Sequence, residues 1–356
     1  MKRLKYLLVL MAAMIGLTVG TLPESEAAQP KKVVKHGRGY KPSTPDARKR
    51  LHAGAKARND SIVKRLPKAT AASFDCRTAF NNVLPTDDQG QCGDCFGVSS
   101  ADGASMAMIK AGILPNDTVA GRLSSQYGLD SGAFQGGCDG GDEAQVIEYI
   151  HSTGFPLTSQ YGPYSASPGQ LQNTTGMTFY KLASYGYCTP SQEEGIAADQ
   201  DVKNCMAMWG PISVAFDASE CDNYVWPGTM TGNGRNVDHA VLNIGWDDNH
   251  DNGDGTKGAW LGMNQWGQAS TTTVSFQSQP WGGPNGTFWI KYGSDSWNTE
   301  SIWMSGAPIP SPGPTPPGPV PPTPVPPTPV PPTPIPPAPI PCTPKFHIFG
   351  RPHFRC

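Results

Sequence analysis

The stretch Gln89-Gly90-Gln91-Cys92-Gly93-Asp94-Cys95-Phe96 constrains this chain more than any other, because what completes it lies far downstream. The completing parts are Val237-Asp238-His239-Ala240 and Met263-Asn264-Gln265-Trp266-Gly267. A thiol, an imidazole and a side-chain amide, with a glutamine shortly before the thiol, are the components of a cysteine acyl-transfer site. The imidazole takes the thiol proton, the amide orients the ring, and the glutamine donates to the developing oxyanion. Any fold must therefore draw three distant segments to one place.

The chain has 356 residues, enough for one large domain or two small ones. Its formal net charge of −2 conceals an asymmetry. From Ala28 to Arg65 it carries roughly ten more basic than acidic residues, so the remainder is acidic. We read this basic arm as resting on an acidic surface of the same molecule, and expect no nucleic-acid partner. Met1 to about Ala27 reads as a secretory signal: Lys2, Arg3 and Lys5 precede the apolar run Tyr6 to Val19, and Ser25-Glu26-Ala27 offers a cleavage site. That run is short for a membrane span, and no other stretch approaches one. The expectation is a secreted monomer with no membrane span once the signal is removed, in a compartment that permits disulfides.

Composition divides the rest. The basic arm covers 28–65, where Thr44-Pro45-Asp46 predicts a helix start and Leu66-Pro67 its end. A globular body covers 66–306. A proline-rich linker covers 307–341, in which Val320-Pro321-Pro322-Thr323-Pro324 recurs, and such sequence favours an extended spacer. An element at 342–356, closed by Cys342 and Cys356, ends the chain and suggests attachment to a ligand on a cell surface or matrix. Within the body the first half reads helical, with Cys95 to Ala111 stopped by Gly112, and Ala144 to Ile150 opened by Asp142-Glu143. Gly97, Ala101, Gly103 and Ala104 suit a helix buried against close neighbours. The second half reads as strands at Ile212 to Asp217, His239 to Trp246, Ala259 to Met263, Thr287 to Lys291 and Ser301 to Met304. A thiol on the helical half and an imidazole on the strand half place a cleft between them. Cys95 at a helix N-terminus, near an imidazolium, is expected to ionise readily.

Over roughly Leu66 to Met304 the chain resembles the papain-like cysteine peptidases. The likeness rests on Gln89 to Cys95, Gly137-Cys138-Asp139-Gly140-Gly141, Val237 to Ala240, and Asn264-Gln265-Trp266-Gly267. It implies an α+β, two-lobed fold, a helical lobe and a β-barrel-like lobe with the cleft between. It implies Cys95 as nucleophile, His239 as general base and then acid, Asn264 as its orienter, and Gln89 with the Cys95 backbone N–H as oxyanion donors. Gly140 and Gly141 would pair with an extended substrate, Val237 would line the pocket for the second residue before the cut, and Trp266 would cover the Asn–His contact. Cys92 and Cys138 sit where the family places a disulfide. The implied activity is hydrolysis of proteins or peptides through a thioester on Cys95, with no cofactor and no metal.

The chain departs from the family at Asp94 and Phe96, where Ser and Trp are usual, and at Cys76. An inward Asp94 would raise the thiol pKa. These departures leave room for a non-catalytic binding protein on the same scaffold, or for an acyl-transferring enzyme. Cys92-Gly93-Asp94-Cys95 also matches a redox C-x-x-C pattern, which leaves His239 and Asn264 unexplained, and no second pair completes a zinc site. Beyond the two bridges, Cys76, Cys188, Cys205 and Cys221 are expected to pair in an order the sequence does not fix. Asp247 to Thr256 fails a calcium-loop pattern and reads as a hairpin turn. Two expectations go further. Asp142 and Glu143 would bias a pocket toward basic or neutral side chains, unless they serve only the helix N-terminus. The basic arm would hold the body latent and release it as carboxylates protonate.

Overall fold

The fold is given by a computed structural model that describes residues 36–308, apart from 60–61, 83, 86, 117–120, 133, 135, 190–194 and 268–280. The expected signal, nearly all of the proline-rich linker and the Cys342–Cys356 closure lie outside the described residues. None of the described helices is long and apolar enough to cross a membrane.

Thr44-Pro45-Asp46 opens a helix as its chemistry dictates: Thr44 Oγ1 accepts the Ala47 amide at 3.4 Å, and α1 runs Pro45–Asn59. It ends earlier than Leu66. A single 3-10 turn, Val63–Arg65, intervenes, and Leu66 adopts the extended backbone that a following proline favours.

The body follows as β1 (Ser73–Asp75), α2 (Cys76–Ala79), α3 (Cys95–Lys110), α4 (Ser125–Asp130), α5 (Glu143–Ser152), α6 (Thr158–Tyr161) and β2 (Ser184–Tyr187). It continues with α7 (Asp199–Trp209), β3 (Ile212–Phe216), β4 (Thr229–Met230), β5 (His239–Asp251), β6 (Lys257–Met263), β7 (Thr287–Lys291) and β8 (Thr299–Ser305). The described strands form one sheet in the order β2-β8-β3-β5-β6-β7-β4, with β1 also pairing to β5. All pairs are antiparallel except β4 with β7.

Helix α3 packs against α5 on one side and against β5 and β8 on the other. Its small residues make this possible. A Cβ on Gly103 would stand 2.5 Å from Met304 Cε and 2.9 Å from Leu242 Cδ2, so the helix lies directly on the sheet. Gly103→Val is expected to cost about 1–3 kcal/mol through overpacking, read as a lower denaturant midpoint at unchanged slope.

Three elements differ from the sequence reading. Strand β5 continues past Trp246 to Asp251, because the turn is confined to 252–256, where Asn252 Nδ2 donates to Thr256 Oγ1 at 3.0 Å. Helix α7 was not expected, although Val202, Cys205, Met206 and Trp209 are buried at helical spacing. The expected pairing of the remaining body cysteines is also corrected: Cys76, Cys188, Cys205 and Cys221 are buried free thiols. Cys188 and Cys205 hydrogen-bond each other, and Cys221 Sγ lies 3.7 Å from Met230 Sδ.

Candidate active site

Cys95 is the first residue of α3, and Asp94 is its N-cap position. The turn before it is fixed by the Cys92–Cys138 disulfide, which ties it to the segment carrying Gly140 and Gly141. His239 is the first residue of β5, paired across the ladder with Phe216 at the end of β3. Asn264 follows β6 directly. These three side chains are fully buried.

His239 Nε2 lies 2.9 Å from Asn264 Oδ1. An amide oxygen only accepts, so Nε2 carries the proton and Nδ1 holds the lone pair. Nδ1 has no hydrogen-bond partner among the described residues. Trp266 covers the imidazole, its ring centroid 4.8 Å away at 32°. The Cys95 sulfur takes backbone hydrogen bonds from Ala240, the residue after His239, and from Gly39.

Gln265 is a positioning residue that the sequence reading missed. Its Nε2 donates to Cys95 O at 2.9 Å and to Ala240 O at 2.7 Å, so one amide joins the thiol-bearing helix to the histidine-bearing strand. Nothing in its type or spacing distinguishes it from its neighbours in the Asn264-Gln265-Trp266 run.

The cleft is filled by the chain itself. Gly37 N donates to Gly90 O at 3.0 Å, and Gln89 Nε2 donates to Gly37 O at 3.1 Å. A carbonyl of the arm thus occupies the glutamine expected to hold an oxyanion. Further along, Gly141 N donates to Gly39 O and Lys41 N to Gly141 O, both at 2.8 Å, which makes a parallel bridge around Tyr40. Tyr40 N donates to Asp238 O at 2.9 Å, next to half-buried Val237. His36 stacks on Trp266 with centroids 4.2 Å apart. Arg38 pairs with Asp222 at 2.9 Å and with Asp238 at 3.5 Å. The fit is close: a Cβ on Gly39 would stand 1.8 Å from Gly93 O. Gly140, at φ +102°, turns its own backbone toward the arm, and a Cβ there would meet Gly39 O at 2.4 Å.

Covering changes the acid–base state. Burial pushes the Cys95 thiol up to about 12, against the Ala240 and Gly39 hydrogen bonds, with Glu143 and Asp94 adding to the rise. Burial pulls His239 down to about 3, the Asn264 contact opposing and the Arg38 and His36 charges reinforcing. The expected ready ionisation of Cys95 therefore does not hold beneath the arm, where sulfur and ring are both neutral at pH 7. Desolvation outweighs the helix terminus. Asp94 does face inward: it is buried, Tyr164 Oη donates to its Oδ2 at 3.4 Å, and burial raises its pKa well above the usual range.

Asp142 and Glu143 open α5. Asp142 Oδ1 accepts the Ala144 amide at 2.8 Å, whereas Glu143 turns into the protein and is 0% exposed.

Comparison with known proteins agrees with this geometry. A family model described as papain family cysteine protease matches residues 70–278. Cysteine proteinase 5 of Dictyostelium discoideum is 30% identical over 183 residues, 50% of this chain and 49% of that protein. Procathepsin L of Mus musculus is 28% identical over 228 residues, 62% of each. The chain thus spans about half to three-fifths of the length of these relatives. Among solved structures, the proform of the ragweed pollen cysteine protease Amb a 11 aligns with TM-score 0.54 at 20% identity, over 69% of each chain. Digestive procathepsin L 3 of Tenebrio molitor aligns with TM-score 0.51 at 20% identity, over 73% of this chain and 90% of that one. At such identity the likeness is one of fold.

Fold and site together define an α+β scaffold whose helical and sheet parts meet at a thiol and an imidazole. The chain belongs to the papain family of cysteine proteases.

Proposed function

We propose that this protein is a cysteine endopeptidase held latent by its own residues 36–43. The observation that carries the reading is the hydrogen bond of His239 to Asn264 with Nδ1 left open, beside a Cys95 whose carbonyl Gln265 ties to that of Ala240, the residue after His239. With the arm withdrawn, solvent and loss of Arg38 allow the Cys95 proton to pass to His239 Nδ1. The thiolate attacks a peptide carbonyl, and Gln89 Nε2 with the Cys95 N–H holds the oxyanion. His239 returns the proton to the departing amine, leaving a thioester. Water then loses a proton to His239, attacks the thioester, and frees the acid and the thiol.

Latency has a directional basis. A substrate laying its N-terminal side along Gly140-Gly141 runs opposite to the arm, which passes Gln89 first and Gly141 afterwards. The arm therefore fills the cleft without presenting its carbonyl in the productive sense. Export through the N-terminal signal, disulfide closure of the tail and its attachment to a surface or matrix belong to the same proposal, resting on composition alone.

The test compares wild type with Cys95→Ala on a denatured protein substrate at pH 5, read by product mass. Wild type is expected to release new termini that have gained water, and Cys95→Ala to lose at least about 10⁴-fold, as removal of a nucleophile does elsewhere. Equal rates for the two would end the proposal, and products joined to an added amine would replace hydrolysis by transfer.

A further inference from the structure

Two groups of acids stand near the cleft. Asp142, Glu143 and Glu300, with one oxygen of each within 4.8 Å of the others, lie where the arm is pinned and belong to the site already described. The other group surrounds residues 231–238, the loop that delivers His239 to β5. Alternate backbone amides of this loop donate to carboxylates from the segment after β3 and from the β7–β8 connection. Gly232 N donates to Glu220 Oε2, Gly234 N to Asp295 Oδ1 and Asn236 N to Asp217 Oδ2, each at 2.8 Å. The two glycines leave room only for hydrogen: a Cβ on Gly232 would stand 2.4 Å from Asp295 Oδ1, and one on Gly234 2.4 Å from Asp217 Oδ2.

Asp295 is the centre of this arrangement. Its carbonyl accepts the Asp217 amide at 2.8 Å, directly after Phe216, the residue paired across the ladder with His239. Its own amide donates to Gly232 O at 3.3 Å, and Oδ1 takes Gly234, so one residue grips both chains that frame the imidazole. It is 1% exposed, and no donor among the described residues reaches its Oδ2. The group in contact with this carboxyl is a second carboxyl, that of Glu220. Two acids in contact are joined by one proton and repel when both ionise.

We infer that Asp295 and Glu220 are positioning residues for His239: joined through one shared proton, they fix the loop that leads into the imidazole. The inference deepens the peptidase reading above and rests on it for the effect on rate. Burial raises the Asp295 carboxyl to about 6, with the Gly234 amide opposing and Glu220 and Asp217 reinforcing. Arg38 of the arm does not relieve this crowding, because it pairs with Asp222 and Asp238 and leaves with the arm. A carboxyl raised in the folded protein keeps its proton below that value and loses it above. The loop is therefore held best in acid and loosens as pH rises through about 6.

The experiment uses the full chain carrying Gly39→Val, so that the arm does not govern access. It reads kcat and KM for a peptide substrate, and the rate of Cys95 alkylation, across pH 5 to 8. In this parent kcat should fall about threefold over that range. Asp295→Ala is expected to lower kcat about tenfold at pH 5 with KM within about twofold, the signature of a misplaced catalytic group, and to move Cys95 alkylation toward an ordinary thiol near 8.5. Asp295→Asn keeps an acceptor for Gly234 N and offers Glu220 an N–H in place of the shared proton. It should match the parent at pH 5 and lose the fall above 6. Asp295→Ala with the parent's kcat and alkylation profile overturns the inference, and so does Asp295→Asn impaired as far as Asp295→Ala. If the parent hydrolyses nothing, the peptidase reading fails, and the alkylation profiles alone decide whether Asp295 positions the ring.

Discussion

Gly39→Val in the full chain is expected to raise peptide hydrolysis at pH 7 by about 30- to 100-fold over wild type. The side chain has nowhere to go, because its Cβ falls 1.8 Å from the Gly93 carbonyl and the backbone there is braced by the Cys92–Cys138 bridge. The arm must lift, and the overpacking it relieves is about 2–3 kcal/mol. Lowering the pH should release the wild-type arm by a different route. His36 is held at about 4 in the cleft, by burial first, with Asp222 opposing and Arg38 reinforcing. A histidine depressed in the covered state stabilises covering fully above its free value near 6.5, and that contribution fades as pH falls toward about 4. His36 alone therefore weakens covering about tenfold per pH unit across that window, and His239, held at about 3, adds to it. The combined measurement is the rate of a peptide substrate against pH. Wild type should climb as pH falls from 7 to 5, while Gly39→Val should already be high at 7. Identical, flat profiles would show that the arm does not govern access.

Arg122→Ala is expected to cost about 3–5 kcal/mol of folding stability at pH 7, because it strands two buried carboxylates. Arg122 is 3% exposed; it pairs with Asp87 and, at 3.4 Å, through Nε with Asp102 in the middle of α3, and it also donates to Pro85 O. The same loop carries Gln89, and Asp87 O accepts the Gly267 amide at 3.3 Å. This ion network therefore holds the Gln89 loop and the Asn264 loop to the helix that bears the thiol. Burial pushes Asp102 up and the arginine pulls it down. With the folded pKa raised above the unfolded one, stability linked to Asp102 is greatest at low pH and falls as pH rises. The Arg122→Ala deficit should accordingly shrink between pH 7 and 5 in denaturant titrations. A deficit under about 1 kcal/mol at pH 7 would mean that the two acids find another partner.

Much of the site was legible because its chemistry is carried by residue type in short runs. Cys95, His239, Asn264, Gln89 and Gly140-Gly141 each sit in such a run, and the strand at Thr287–Lys291 was read to the residue. Glu300 was not legible. It lies within a strand whose neighbours are apolar, and only the pairing of β8 to β2 and β3 carries it toward Asp142 and Glu143. The path of the arm was equally hidden. Gly37 and Gly39 look like linker glycines, and their meaning comes from carbonyls of Cys92 and Gly93 more than fifty positions later in the chain. Helix α7 is a different kind of miss, since Val202, Cys205, Met206 and Trp209 carried the period and were passed over. The thiol's state failed for a physical reason: helix position and a ring partner are local, whereas desolvation is a property of what lies on top.

Alkylation of Cys95 against pH, followed by peptide mass mapping so that the other buried thiols are not counted, bears most directly on whether sulfur and ring work as a pair. Gly39→Val should react at full speed by about pH 6, and His239→Ala in that background should shift the profile to that of an ordinary thiol near 8.5. A Gly39→Val protein whose Cys95 reacts only above pH 8, with or without His239, would contradict the account.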